Sequence, residues 1–492
     1  MAPLLGTAMV LATGMVFSLW WNQHVDHATV WYEPADLWRT MLAAVRIDHG
    51  QIGQIYSNGT NLVSFPGAAV LLAPAAAVIS AFHMPLGPPI GTYTDTNAWL
   101  VAGPFMMLVS CSVLFAADRL AERMGIGTRP RLLLAGAGAV ALWNVAPYWG
   151  HPEDCVAVAL TLFAVDAMAS GQVWRSAWLV GVALAVQPLV VLAVPVLAVL
   201  TGRRRMIGWL SRAALPPVLA VGAALAANWS ATWYQIVDQP NWPYIDRPTP
   251  WIVLAPHLTA QTVAAGPGRS IAVVLAAIAC WPALRAWQRA GGTVPDQPGP
   301  PPPAGPPAPA LATSPALATS PAPATAPATA LATSPAPATS PAPATSPAWP
   351  PSGEASAVPG QARLTSSVLP GPLGVLWPAS AIASAVWWVA LTLALRCAFE
   401  SVMVSYYIWP GIAVALVAAS RSWRRLIPTA ALGIGITCFC NVWWHGEWSW
   451  WSVIVVTLAA ILLASRPNGS LAKATGQGNR SRRRVGSAAG AS

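Results

Sequence analysis

The sequence predicts an all-α protein that crosses a membrane many times. Hydrophobic residues make up 55% of the 492 residues and charged residues only 9%, and the mean hydropathy is +0.53. Runs such as 177–200 and 373–395 contain no charged residue. Each run is long enough to cross the roughly 30 Å of hydrocarbon in a bilayer. We therefore predict a polytopic helical bundle with about 10–12 membrane segments, some of them re-entrant.

The limits of these segments follow from the apolar runs and from Lys and Arg, which favour the cytoplasmic side. Two runs are ambiguous: 62–82, which Pro74 interrupts, and 177–201, which Gln187 and Pro188 interrupt. Basic residues flank the second run on both sides, which favours a re-entrant hairpin over a crossing. If both runs are re-entrant, 21 of the 26 Lys and Arg lie on the cytoplasmic side, so we prefer that topology. The clear spans are 2–20, 97–117, 132–150, 155–170, 207–227, 270–288, 373–395, 405–420, 426–441 and 449–465.

Composition divides the chain into two membrane modules. Pro, Ala, Thr and Ser dominate residues 291–365, so this tract is predicted to be a disordered linker. It separates an N-terminal transmembrane module, 1–290, from a C-terminal one, 366–465, and a basic disordered tail, 466–492, follows. We place the linker and the tail in the cytoplasm and the protein in the plasma membrane. The basic residues fit this orientation, and no nucleic-acid partner is expected.

Two long loops, 21–61 and 228–269, are predicted to lie on the outer side. The first holds four of the 16 carboxylates and three of the seven histidines. The second interleaves tryptophans with amides, carboxylates and Arg247, a composition that suits a sugar surface or an interfacial anchor. Long external loops collect polar residues in any case, but this concentration favours an external active site.

Asp36 is the best candidate for a catalytic acid in the first loop, with Glu33 and Asp48 as nearby alternatives. Apolar positions follow Asp36 at roughly helical spacing, which predicts an amphipathic helix lying on the membrane. These positions are Leu37, Met41, Ala44, Val45 and Ile52.

A second candidate is the polar turn that begins at Trp149 and contains His151, Glu153 and Asp154. Pro152 suits the first turn of a helix, and the two acids complement the positive end of the helix dipole. Capping explains only one of the carboxylates. A histidine with two carboxylates at a membrane boundary therefore predicts a functional role.

A third candidate lies at the end of the span 373–395. Arg396 and Glu400 are four residues apart and can form an ion pair on one helix face. Alternatively, Arg396 at the membrane boundary can bind a lipid phosphate. Tyr406 and Tyr407 follow shortly before Pro410.

The order of these motifs resembles the GT-C class of integral-membrane glycosyltransferases and is similar, more narrowly, to the polyprenyl-phosphate-mannose-dependent mannosyltransferases. Three motifs depart from that pattern: Phe65-Pro66-Gly67 replaces Tyr-Pro-Pro, Gly150-His151-Pro152-Glu153 replaces Gly-Gln-x-Asn, and Gln187 replaces the usual Lys before Pro. The motifs that carry the resemblance are Asp36 with Trp38, Gly50, Tyr56, Phe65-Pro66, the turn 150–154, Gln187-Pro188 followed by Arg203-Arg204-Arg205, and Tyr406-Tyr407 before Pro410.

The resemblance implies an inverting transfer of a sugar, mannose in that family, from a polyprenyl-phosphate donor to an acceptor on the outer face. Asp36 matches the first-loop acid and would be the general base. Arg396 or Arg247 would supply positive charge to the leaving phosphate. The implied substrate-binding residues are His151, Glu153, Asp154, Arg247, Arg396, Glu400 and Tyr406.

His151, Glu153 and Asp154 could hold a divalent cation near that phosphate or bind sugar hydroxyls. Adjacent residues on a helix point about 100° apart, so a metal held by all three requires an irregular turn. The expected partners are membrane lipid and the lipid-linked sugar donor.

Two other functions fit the same composition. A transporter or flippase for a lipid-linked sugar would carry ionisable residues at the membrane midplane, where the predicted spans offer only Asp166. A non-catalytic membrane scaffold would use the linker as its working part.

Overall fold

The computed structural model describes residues 1–24, 34–57, 60, 62–86, 98–243, 247–293, 377–442 and 446–467. Within these ranges the chain forms sixteen α-helices and one two-stranded sheet. The helices are α1 (Ala2–His24), α2 (Ala35–Asp48), α3 (Pro66–Ala81), α4 (Trp99–Ser110), α5 (Ser112–Arg123), α6 (Thr128–Trp143), α7 (Pro152–Ala169), α8 (Val173–Val186), α9 (Val194–Leu200), α10 (Arg203–Ala227), α11 (Trp229–Trp233), α12 (Gly268–Arg289), α13 (Ala379–Phe399), α14 (Trp409–Ala419), α15 (Trp423–Val442) and α16 (Glu447–Ser465). The predicted linker and tail lie almost entirely outside the described residues.

Six helical stretches in the described part of the chain are long and apolar enough to cross a membrane. Their lengths, 18–25 residues, match a hydrocarbon core of about 30 Å at 1.5 Å of rise per residue. The protein is therefore an all-α polytopic membrane protein, as the composition predicted. The six stretches are Ala2–Trp20, Trp99–Arg123, Arg203–Ala227, Gly268–Arg289, Ala379–Phe399 and Trp448–Ser465.

The relative directions of the first helices define two ends of the bundle. Gly6 of α1 lies against Leu114 and Ala139, and Gly14, two turns later, lies against Met107 and Pro147. Helix α1 therefore runs parallel to α6 and antiparallel to α4 and α5. The start of α2 and the start of α7 lie at one end, called the Asp36 end below. Arg123, Arg131 and Asp166 lie at the other, called the Asp166 end.

The run 177–201 turns back, as its flanking arginines predicted. Helix α8 ends at Val186, because Pro188 cannot continue the hydrogen-bond ladder and holds Gln187 in an extended conformation. A 3-10 helix, Pro188–Leu192, then leads into α9. Trp209 donates to the hydroxyl of Ser176 (2.8 Å). Gly181 lies against Ala213, so α10 runs parallel to α8. The chain has therefore returned by residue 203 to the end at which α8 began.

The helix break expected at Pro74 in the run 62–82 is absent, and the re-entry of this run stays a prediction. Helix α3 continues from Pro66 to Ala81 with Pro74 inside it. An interior proline removes one backbone hydrogen bond and kinks a helix, but the flanking turns of α3 keep theirs. Gly67 approaches the end of α8 so closely that a Cβ would lie 2.3 Å from the Ala185 carbonyl oxygen. The start of α3 is thereby fixed beside Gln187.

The helices on either side of the predicted linker pack side by side. The rings of Trp287 in α12 and Trp377 meet edge to face with centroids 5.0 Å apart. Ser380 at the start of α13 donates to the Ala290 carbonyl (2.6 Å). The described residues before and after the predicted linker thus belong to one compact unit.

The two predicted external loops dock on the Asp36 end. In the first, α2 forms as predicted and buries Leu37, Met41 and Ala44 completely. Ile52 does not share that face, since it belongs to a separate 3-10 helix and is 41% exposed. In the second loop, strand β1 (Arg247–Pro248) pairs antiparallel with β2 (Val402–Met403). This pairing holds the loop against the segment that precedes Tyr406.

Candidate functional site

His151 is the centre of a cluster at the Asp36 end. Its Nε2 lies 3.1 Å from Oδ2 of Asp36, and its Nδ1 lies 2.7 Å from Oε1 of Glu153. Asp36 is in the first turn of α2 and Glu153 in the first turn of α7. The structure therefore joins two candidates that the sequence places more than a hundred residues apart.

Local backbone geometry explains why the turn before α7 can approach α2. Gly150 has φ +73°, and a Cβ there would lie 2.7 Å from Pro34 and 2.8 Å from Leu37. Only glycine fits this left-handed and crowded position. Pro152 occupies the first turn of α7, as predicted, with both acids at the positive end of the helix dipole.

Tyr406 covers the histidine. Its ring stacks on His151 with centroids 4.0 Å apart and an angle of 24° between planes, and Trp149 lies 5.7 Å from Tyr406. Tyr406 belongs to a 3-10 helix, Ser405–Ile408, which the pairing of β1 with β2 holds in place. Helices α2 and α7 and the segment before α14 thus build one site.

The charges of this cluster support one another. Burial alone would lower the pKa of His151, but the charges of Glu153 and Asp36 and their hydrogen bonds raise it to about 10. Burial alone would raise the pKa of Asp36, but His151 and Arg39, whose Nη1 is 3.5 Å away, lower it below the usual value. At neutral pH His151 is therefore a cation that donates to two carboxylates.

Asp36 is the member of this chain that reaches the surface. Its side chain remains 27% exposed, whereas that of His151 is 5% and that of Glu153 1% exposed. A group that accepts a proton from an incoming molecule must be accessible. The alternatives are weaker, since Asp48 is exposed at the far end of α2 and Glu33 lies outside the described residues.

Ser64 also belongs to the site. Its hydroxyl donates to Oε1 of Glu153 (3.1 Å), and its own carbonyl accepts from the Tyr56 hydroxyl (2.8 Å). The sequence singled out Tyr56 and Phe65 but not Ser64, because no charge or spacing distinguishes this serine from the many others in the chain.

Asp154 points away from His151. Its Oδ1 accepts a hydrogen bond from Nε2 of Gln187 at the end of α8. Consecutive helical residues diverge by about 100°, so Glu153 and Asp154 face different neighbours. In the described part of the chain no three His, Cys, Asp or Glu side chains are grouped to hold a metal ion.

The third candidate group forms around Glu400. Arg396 Nε lies 4.0 Å from Oε1 of Glu400, and its guanidinium lies 3.7 Å from the centre of the Tyr407 ring. Glu400 is buried and also accepts from Arg269 at the start of α12, whose Nε is 2.7 Å away. Arg269 is not among the site residues that the sequence predicts. A lone arginine immediately before a predicted span was the available signal.

Arg247 is held between two C-terminal helices. Its Nη1 donates to the Cys440 carbonyl (3.0 Å), and its guanidinium lies 4.3 Å from the centre of the Trp450 ring. The structure thereby brings Arg247 to α15 and α16.

Three buried atoms of charged side chains have no hydrogen-bond partner among the described residues. They are Oε2 of Glu153, Oδ2 of Asp154 and Nη1 of Arg396. Buried polar groups are normally paired, so these atoms are available to a bound molecule.

Comparison with known proteins adds no relative: no family model, no curated protein and no solved structure matches this chain.

Proposed function

We propose that this protein is a GT-C-like membrane glycosyltransferase that moves a sugar from a polyprenyl-phosphate donor to an acceptor hydroxyl. The observation that carries the proposal is the buried chain from Glu153 through His151 to Asp36, with Asp36 alone reaching the surface. Such a chain keeps one carboxylate ionised, oriented and accessible. A general base needs these three properties.

In the proposed reaction, Asp36 removes the proton of the acceptor hydroxyl as its oxygen attacks the anomeric carbon. The new carbon–oxygen bond forms on the face opposite the donor phosphate, and the bond from the anomeric carbon to that phosphate breaks. The electron pair leaves with the phosphate as a lipid phosphate monoester, and the proton stays on Asp36. His151 holds the carboxylate in place through this step.

Arg396 is the better placed of the two candidate arginines for the departing phosphate. It lies over Tyr407, next to the ring that covers His151, and one of its donors has no partner among the described residues. Arg247 instead packs on Trp450. A fixed cation near the breaking bond stabilises the charge that develops there.

A transporter or flippase fits less well. Asp166, the acid predicted inside a span, contacts Arg119 and Arg123 near the end of α7. An acid paired in this way near a helix end is not the unpaired midplane carboxylate that ion coupling requires.

We further propose that the Asp166 end faces the cytoplasm of a cell whose plasma membrane holds the protein. Arg119, Arg123, Arg131 and the triplet Arg203–Arg205 lie at or next to that end, and cytoplasmic loops carry such an excess. The active site then faces the outer surface.

The test is sugar transfer by the full chain in membranes supplied with polyprenyl-phosphate-linked mannose or glucose and a cell-envelope extract as acceptor. Asp36→Asn should reduce release of lipid phosphate at least about 100-fold, since base catalysis contributes about 10²–10⁴-fold, while the variant is expressed and stays folded at the assay temperature. An Asp36→Asn protein as active as the parent would refute the assignment of the base.

A further inference from the structure

The three unpartnered atoms differ in what they require. Oε2 of Glu153 and Oδ2 of Asp154 are acceptors, and their residues are 1% and 0% exposed. Nη1 of Arg396 is a donor. A molecule that forms hydrogen bonds with all three atoms must therefore offer donors to the two carboxyl oxygens and an anionic oxygen to the guanidinium.

Asp154 is oriented by a neutral partner. Gln187 donates to Oδ1 and leaves Oδ2 unpartnered among the described residues. The position of Gln187 is fixed in turn, because Gly67 packs against the Ala185 carbonyl and Pro188 ends α8. The amide donor fixes the orientation of the carboxyl group and leaves Oδ2 to another partner. Asp154 therefore keeps its capacity to accept from hydroxyl groups.

Arg396 faces the same region from α13. The Tyr407 ring, on which Arg396 lies, meets that of Tyr406 edge to face with centroids 4.9 Å apart, and Tyr406 covers His151. The guanidinium of Arg396 is stacked on Tyr407 and lies at the limit of ion-pair distance from Glu400, which Arg269 already engages. The cation is thus held in place but is not fully used by the protein.

We propose that Asp154, oriented by Gln187, binds the hydroxyls of the donor's sugar, while Arg396 binds its phosphate oxygen. A glycosyl phosphate is the class of molecule that carries both groups side by side. This assignment rests on the proposed function and goes beyond it by dividing the donor head group between α7 and α13. It also makes Gln187 a positioning residue for sugar recognition.

The experiment measures binding to the purified full chain in detergent. The probes are one polyprenyl phosphate without sugar and the same lipid phosphate carrying mannose or glucose. The parent protein should bind at least one glycosylated lipid more tightly than the bare lipid. Asp154→Asn should weaken binding of that glycosylated lipid about 10- to 100-fold, the loss expected for a charge-assisted hydrogen bond, and leave the bare lipid unchanged. Arg396→Gln should weaken binding of both the bare and the glycosylated lipid.

Two further variants guard against a folding artefact. Asp166→Asn makes the same substitution at the other end of α7 and should leave both affinities unchanged. Gln187→Leu keeps the Asp154 carboxylate but removes the amide that orients it. It should weaken binding of the glycosylated lipid three- to tenfold and leave binding of the bare lipid unchanged. If Asp154→Asn does not fold, the two lipid affinities of Gln187→Leu test the proposal instead.

The proposal is overturned if the parent binds bare and glycosylated lipids equally, or if Asp154→Asn or Gln187→Leu changes both affinities alike or neither. Failure of the proposed function has a different signature. In that case the glycosylated lipid binds in the manner described, but Asp36→Asn leaves transfer as it was or the parent transfers no sugar.

Discussion

The two ends of the bundle use buried charge in opposite ways. At the Asp166 end, Arg131 makes two short hydrogen bonds to Asp118 (2.6 and 2.5 Å), and Asp166 contacts Arg123 and Arg119. At the Asp36 end a single histidine lies between two carboxylates, and three atoms of charged side chains have no partner among the described residues.

This difference separates structural from functional charge. Arginine forks that match carboxylates satisfy both partners and fasten α5 to α6 and α7. The Asp36 end leaves hydrogen-bonding capacity unused, although burying an unpaired polar group costs about 1–3 kcal/mol. Unpaired groups of this kind are common at functional sites and uncommon in purely structural clusters.

The largest effect within the histidine cluster should come from His151→Gln. An amide can donate to one carboxylate but cannot supply the cation that holds two of them. We expect transfer to fall about 10²-fold and the free energy of unfolding to fall by about 3–5 kcal/mol, as when one member of a buried ion pair is removed. Transfer assays and thermal unfolding in detergent measure both. Activity close to that of the parent would contradict the assigned role of His151.

The charges of the same cluster should also make stability depend on pH. This effect should be smaller than that of His151→Gln. The folded pKa of His151 is raised from 6.5 to about 10, so its stabilisation is complete below pH 6.5 and is lost as the pH rises through about 10. The pKa of Asp36 is lowered from 3.8, so its contribution is present above that pH and is lost on further acidification. Between pH 6.5 and 10, the melting temperature of the parent should fall more steeply than that of His151→Gln. Parallel curves would rule out a charged His151.

The smallest effect is expected for Asp48→Asn. Asp48 is exposed at the last residue of α2, where a negative charge opposes the helix dipole, so its removal should stabilise the protein by about 0.3–1 kcal/mol. Transfer should stay within about twofold of the parent. A large loss of transfer would move the base from Asp36 to Asp48.

The sequence predicted the parts of the site better than their contacts. Six of the ten clear spans coincide with helices that are long and apolar enough to cross a membrane. Pro152 correctly placed Glu153 and Asp154 in the first turn of α7, because both signals are local. The contact of Asp36 with His151 depends on how α2 packs against the turn at Gly150, and sequence spacing does not specify that. Ser64 and Arg269 escaped prediction for the same reason, since their partners are 89 and 131 residues away.

The proline in α3 shows that a local sequence signal can also mislead. A single proline predicted a break in the run 62–82, yet α3 passes through Pro74. Helix α8, by contrast, ends just before Gln187 and Pro188. Packing against neighbouring helices decides between a kink and a break, and the local sequence does not contain that information.

The most direct test compares the same substitution at the two ends of the bundle. Asp36→Asn and Asp166→Asn are measured side by side for sugar transfer and for melting temperature. We predict a crossed result: Asp36→Asn loses transfer at least about 100-fold with a smaller loss of melting temperature than His151→Gln, and Asp166→Asn loses stability while the folded protein keeps its transfer rate. Equal losses of transfer in both variants, or no loss in Asp36→Asn, would contradict the division between a catalytic and a structural end.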